Sequence, residues 1–201
     1  MTAAHCVVGK TPADIRVLVG EHDTSTAADT SFTQTLTALD IIVHENYNSL
    51  TAANDIALVR TKITLNENVD VVCLPWVLRD QTFPMDPVTA AGWGTTEFGG
   101  PKSRILQKVG LTTISNQECV MQIPNLVASS LCTLTPNKDT CQFDSGNSLF
   151  YQNPSSSRVY SVGVVSGGFG CAGSKPSINT RVTSYLDWIR RRATGAVFCS
   201  V

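Results

Sequence analysis

Charge is scarce in this sequence. Asp, Glu, Lys and Arg make up 15% of its 201 residues, the net charge is -1, and the longest run of one sign is Arg190-Arg191-Arg192. Such a chain has no basic or acidic face built for phosphates or lipid headgroups, so neither nucleic acid nor a membrane is expected as a partner. The arginine run reads as a solvated helix end. The seven cysteines include no paired CxxC units, which argues against a zinc site and for disulfides in an oxidising compartment. A secretory leader is also missing, because the chain opens Met1-Thr2-Ala3-Ala4-His5-Cys6 without a charged head or an apolar stretch. An odd number of cysteines together with that opening leads to the expectation that upstream sequence is absent and that one cysteine has its partner there. No repeat or low-complexity segment occurs, and the proline of Asn153-Pro154-Ser155 disqualifies that polar turn as a glycosylation acceptor.

What is present is apolar. Hydrophobic residues make up 42% of the chain, enough for one sizeable core or two small ones. Short β-prone runs recur between turn signals at Ile15–Gly20, Thr35–Val43, Ile56–Arg60, Val88–Gly92, Val109–Ile114, Val159–Ser166 and Ile178–Val182. The pattern is all-β, and its spacing suits a sandwich or a barrel equally. A helix is expected from Ser184, where Tyr185, Leu186, Trp188 and Ile189 fall at helical spacing before the basic run and Gly195 offers a stop. Val77 to Pro87, with two prolines, reads as a link between two halves, about 1-78 and about 79-201.

Three segments set a reactive side chain among small or turn-forming residues: Thr2-Ala3-Ala4-His5-Cys6, Asn54-Asp55-Ile56-Ala57-Leu58 and Cys141-Gln142-Phe143-Asp144-Ser145-Gly146. A serine hydroxyl is a poor nucleophile at neutral pH; it needs a histidine to take its proton and a buried carboxylate to hold the imidazole's tautomer. His5, Asp55 and Ser145 supply one of each. Taken singly, His5 could be an ordinary buried histidine and Asp55 a turn cap. His22 and His44 read as surface loop residues.

In composition and order these segments resemble the trypsin-like serine peptidase family, which carries TAAHC, DIAL and GDSGGP-type motifs in that sequence. Ala91-Gly92-Trp93-Gly94, Cys73-Leu74-Pro75, Ser166-Gly167-Gly168 and the closing Thr180-Arg181-Val182 to Trp188-Ile189 extend the likeness along the chain. The wording is most similar to secreted insect members, venom peptidases among them. The resemblance implies two packed six-stranded antiparallel β-barrels with a C-terminal α-helix, the first barrel incomplete, in a single peptidase domain over 1-201. It implies a secreted, monomeric serine endopeptidase with no cofactor, acting on polypeptides and open to protein inhibitors. His5, Asp55 and Ser145 would be catalytic, and the backbone N–H groups of Phe143 and Ser145 would form the oxyanion hole. Asp139, six residues before Ser145, would lie at the base of the specificity pocket and select Arg or Lys, because an apolar side chain would leave it unpaired. As an isolated residue it could equally be an exposed turn aspartate. Ser166, Gly168 and Ser177 would complete the pocket, with Ser177 narrowing the entrance where relatives have glycine. By the same resemblance Cys119 would pair with Cys132, Cys141 with Cys171, and Cys6 with a cysteine upstream, whereas the partners of Cys73 and Cys199 stay open. A calcium loop follows the equivalent of Gly20-Glu21 in some relatives, but Asp23 and Asp29 are too few hard ligands, and no metal is expected.

The sequence departs from the family at several positions. The strands ahead of the histidine motif are absent, which exposes core and edges and predicts poor folding of this chain by itself. Asp144 normally pairs with the amine freed on activation, and Met1, four residues before His5, cannot reach that role. Phe143 replaces the oxyanion-hole glycine, where a bulky residue disfavours unusual dihedrals. Asn147 and Ser148 replace Gly-Pro, and Gly167 replaces an aromatic residue. These changes support a different class of function, a catalytically weak homologue with a binding or regulatory role.

Overall fold

The computed structural model describes residues 1–26 and 29–199. The chain begins with a single turn, α1 (Ala4–Val7), and continues into β1 (Arg16–Val19), β2 (Gln34–Thr37), β3 (Asp40–Val43) and β4 (Ala57–Arg60). β1 pairs with β2 and β3 with β4, both antiparallel. The run read as one strand from Thr35 to Val43 is therefore two. Ala38 N–H donates to Ile15 at 3.4 Å and Leu39 N–H to Arg60 at 2.7 Å, so the chain changes partner at the buried Ala38.

The second half comprises β5 (Pro87–Gly92), β6 (Gln107–Ile114), α2 (Asn116–Gln122), β7 (Ser130–Thr133), β8 (Ser148–Gln152), β9 (Val159–Gly167), β10 (Ser177–Arg181) and α3 (Leu186–Arg192). Its six strands close into a barrel in the order β10-β7-β6-β5-β8-β9. Alternation in β5 turns Val88 and Ala90 inward, where they meet Leu111, Leu131, Leu149 and Val162. β9 is buried without a break from Tyr160 to Val165, because its second face packs on the other half. There Val164 joins Ala3, Ile56, Val182 and the α3 residues Leu186, Trp188 and Ile189 in one cluster. The fold is thus all-β with a C-terminal helix; the second barrel closes, whereas the described strands of the first half remain two separate pairs.

Two strands and two helices were not anticipated. β7 is four residues long and buried throughout, too short for a periodicity to register. α2 did carry a signal, the capping box in which Ser115 and Glu118 satisfy each other's backbone N–H. Two disulfides lie within the second half, Cys119–Cys132 and Cys141–Cys171, and a third, Cys73–Cys199, ties its end to the first half. The last settles the alternatives left for Cys73 and Cys199 and anchors the segment after α3. Truncating Leu149, 0% exposed in the barrel interior, to alanine is expected to lower unfolding free energy by about 2–5 kcal/mol. Leu50→Ala, at a side chain 94% exposed, should stay within about 0.5 kcal/mol of the parent in the same denaturant titration.

Candidate active site

His5 and Asp55 meet because two short segments exchange backbone hydrogen bonds. Thr2 N–H donates to Ala57 at 2.9 Å and Ala57 N–H to Thr2 at 2.8 Å. Ala3, Ala4 and Ala57, all 0% exposed, are small enough to let α1 lie directly against the start of β4. Asp55 is 1% exposed. Its Oδ1 accepts from the His5 backbone N–H at 2.9 Å, and its Oδ2 lies 2.7 Å from His5 Nδ1 and 2.5 Å from the Ser166 hydroxyl. Burial pushes the Asp55 carboxyl upward, but the His5 and Ser166 donors outweigh it and hold the group below the usual carboxylate range. His5 is pushed up to about 10, by the Asp55 hydrogen bond first and then by Cys6 Sγ, which lies 3.5 Å from Nε2. A carboxylate on Nδ1 orients the ring and keeps that nitrogen protonated.

Further residues hold Asp55 from behind, and sequence reasoning assigned none of them. Thr180 Oγ1 donates to the Asp55 carbonyl at 2.7 Å, and the Tyr185 hydroxyl donates to Asn54 Oδ1 at 3.1 Å. They stand 125 and 131 residues from their partners, so no local pattern announces the contacts. Ser166, read from the resemblance as a pocket residue, is here also a donor to Asp55.

Ser145 projects from the exposed turn between Cys141 and β8. Gly146 N–H donates to Val165 and Val165 N–H to Asn147, both at 2.8 Å, fixing the turn to β9. Among the described residues no hydrogen bond joins Ser145 Oγ to His5; the neighbour of His5 Nε2 is the Cys6 thiol, which also donates to the Ser145 carbonyl at 3.6 Å. Cys6 is unpaired.

The residues before Ser145 are held by a second loop. Asp144 accepts from Gly94 N–H at 3.1 Å, Cys141 N–H at 3.0 Å and the Asn147 amide at 3.3 Å. A Cβ on Gly94 would fall 2.5 Å from that carboxylate, which is why glycine is needed there. Thr95 N–H donates to Gln142 O at 3.0 Å and Gly99 N–H to Gln142 Oε1 at 2.7 Å. The Lys102 ammonium sits 3.9 Å from the centre of the Phe143 ring. Phe143 adopts φ +73° with its side chain 63% exposed, a left-handed conformation that costs a non-glycine residue about 1–3 kcal/mol. Among the described residues, neither the Phe143 nor the Ser145 backbone N–H has a protein acceptor.

Asp139 is half-buried, with the Ser177 hydroxyl 2.7 Å and 2.8 Å from its two oxygens and Thr140 N–H donating at 2.9 Å. Burial raises its carboxyl, and those donors only partly offset the rise. A cleft cavity of about 140 Å³ is lined by Ser145, Gly167, Gly168, the Cys141–Cys171 disulfide and Ser177. Asp139 and Asp144 line a different cavity of about 240 Å³ behind the turn that carries Ser145. In the loop that carries calcium in some relatives, the carboxylate oxygens of the buried Glu21 have no hydrogen-bond partner among the described residues, while Asp29 accepts from the backbone of His22 and Asp23. Ala27 and Ala28 of that loop lie outside the described residues, and among the described residues no group of three metal-ligating side chains occurs.

The His5–Asp55 pair should leave a pH signature. The folded value of His5 lies above its ordinary value of about 6.5, so its contribution is complete below that pH and is lost as pH rises toward about 10. The folded value of Asp55 is depressed, so its contribution is present above about pH 3.9 and is lost as pH falls through the folded value. The melting-temperature gap between the native protein and Asp55→Asn is expected to be widest between about pH 4 and 6.5 and to shrink on both sides. A gap that stays constant across that range would contradict the pairing.

The Trypsin family model matches residues 1–189. The chain is 35% identical over 207 residues to Venom serine protease 34 of Apis mellifera, covering 100% of this chain and 51% of that protein. It is 35% identical over 206 residues to a Venom serine protease of Polistes dominula, covering 99% of this chain and 74% of that one. With Trypsin-1 of Astacus astacus the identity is 36% over 203 residues, 96% of this chain and 83% of the relative. The chain thus spans about half the length of the Apis relative. Among the described residues no helix is long and apolar enough to cross a membrane. A family match that runs from the histidine turn into α3, with more than a third of positions shared with Trypsin-1 across most of its length, establishes that this chain belongs to the trypsin family.

Proposed function

We propose that the protein carrying this chain is an extracellular serine endopeptidase that cleaves polypeptides after Arg or Lys by acyl transfer. The observation that carries the reading is the buried Asp55 carboxylate on His5 Nδ1 at 2.7 Å, with the Cys6 thiol linking His5 Nε2 to the Ser145 carbonyl. Ser145 Oγ attacks the scissile carbonyl, and His5 Nε2 takes its proton and passes it to the leaving amine. A water molecule repeats the cycle on the acyl ester. The N–H groups of Phe143 and Ser145, which have no acceptor among the described residues, receive the developing oxyanion. Base action requires neutral His5, so the Cys6 contact at Nε2 is the one that must give way to Ser145; such bonds commonly tighten only with substrate present. Asp139 supplies the charge that favours a basic side chain. Asp144 is the natural partner for an amine freed on activation, because its carboxylate lines the cavity behind the turn. The two halves, about 1-78 and 79-201, would act as one monomeric peptidase unit, open to protein inhibitors. Three disulfides support an oxidising, extracellular setting.

A second reading, a catalytically weak homologue that binds rather than cleaves, is favoured by one specific arrangement. His5 is raised by Asp55 first and then by Cys6, its Nε2 faces the Cys6 thiol with no Ser145 hydrogen bond among the described residues, and Phe143 has φ +73° at the proposed oxyanion site. Hydrolysis of Arg, Lys and Phe peptide amides by the activated full-length protein separates the two. The first reading expects cleavage after basic residues that Ser145→Ala lowers by about three orders of magnitude or more. Rates equal to the Ser145→Ala background would leave the binding reading. Phe143→Gly, which removes the cost of φ +73°, is expected to raise kcat by up to about tenfold; a fall in kcat would show that the phenyl ring itself serves the reaction.

A further inference from the structure

Asp139 is not in the wall of the cavity that opens beside Ser145. That wall is made by Ser177, and the carboxylate lines the separate cavity behind it. Ser177 is 4% exposed, and its Oγ lies 2.7 Å and 2.8 Å from the two Asp139 oxygens, in the fork between them. One of those oxygens also accepts from Thr140 N–H. At the adjoining end of β9 a Cβ placed on Gly168 would come 2.9 Å from the same Oγ, so the hydroxyl is held close against its neighbour as well as against the carboxylate.

We propose that Ser177 is the specificity-determining residue of this pocket and makes the protein prefer lysine over arginine. The inference rests on the reading of Asp139 as the selector of basic side chains and adds which base it selects. A guanidinium binds a carboxylate best through two parallel N–H···O bonds in one plane. Ser177 occupies the position where that fork would dock and leaves no pair of open oxygens for a planar group. An ammonium needs no such pair. It is a compact charge with three donors, and one of them reaches the free lone pair of Ser177 Oγ while the serine proton stays on Asp139. The attraction of the carboxylate is then relayed through one hydroxyl.

The test compares kcat/KM of the activated full-length protein on two peptide amides that differ only in Lys or Arg before the scissile bond. The native protein is expected to favour Lys. Ser177→Gly, which frees both carboxylate oxygens, should move the Arg-to-Lys ratio toward Arg by about tenfold or more. Ser177→Ala, which removes only the hydroxyl, should move it less in the same direction, and it carries the test where the glycine variant fails to fold. Competitive inhibition by butylammonium and by methylguanidinium gives a second readout, with the ammonium the tighter in the native protein and the order reversed in Ser177→Gly. Native preference for Arg, or a ratio unmoved by both variants, would overturn the role of Ser177 while leaving Asp139 as a selector of basic residues. Ser145-dependent cleavage after Phe with neither basic substrate turned over would overturn the Asp139 reading and this inference with it.

Discussion

An ionised carboxylate taken out of water destabilises a fold by several kcal/mol unless charge and hydrogen-bond donors replace the lost hydration, and Asp55 is 1% exposed. Its replacements come from distant parts of the chain: the His5 backbone and ring, the Ser166 hydroxyl at the end of β9, and Thr180 of β10 on its carbonyl. The contact that positions the imidazole is therefore also a clamp between the N-terminal half and the closed barrel. Around it the apolar surfaces of Ala3, Ile56, Val164 and α3 form one cluster, which keeps water from the Asp55 carboxylate and strengthens its attraction for the His5 ring.

The turn that carries Ser145 has a different mechanical basis. It is not buried, so its shape comes from ties rather than packing. The Cys141–Cys171 disulfide fixes its start, three N–H donors hold Asp144, and the loop from Gly94 to Lys102 clasps Gln142 and Phe143. Together these ties hold Phe143 in a backbone region that phenylalanine rarely occupies. Strain of this kind persists only where the surroundings over-determine it. The neighbouring contacts of Cys6 with His5 and with the Ser145 carbonyl add one more polar group to a crowded corner and, after the Asp55 hydrogen bond, help to raise the His5 imidazole.

The chemistry-bearing residues were legible in the sequence because each sits in a short motif whose small neighbours have a local steric purpose. Ala3 and Ala4 let the histidine turn approach β4, and the apolar Ile56-Ala57-Leu58 run carries Asp55 inward. Short β-prone runs between turn signals announced β5, β6, β9 and β10 of the barrel, and the apolar spacing with its basic end announced α3. β7 and the break at Ala38 were not legible. One is too short for a period, and the other depends on which partner strand supplies the next carbonyl.

The sequence by itself determined the all-β class and the C-terminal helix, which rest on local patterns of residue type and spacing, and it singled out His5, Asp55 and Ser145 as candidates through short motifs that resemble the family's. Only the tertiary structure decided that Cys73 joins Cys199, that Thr180 and Tyr185 brace the Asp55 segment, and that Ser177 rather than Asp139 faces the cleft. Each of those facts is a contact between residues tens to more than a hundred positions apart. Distance along the chain carries no record of which side chain will occupy the fork of a carboxylate; barrel closure brings Ser177 there.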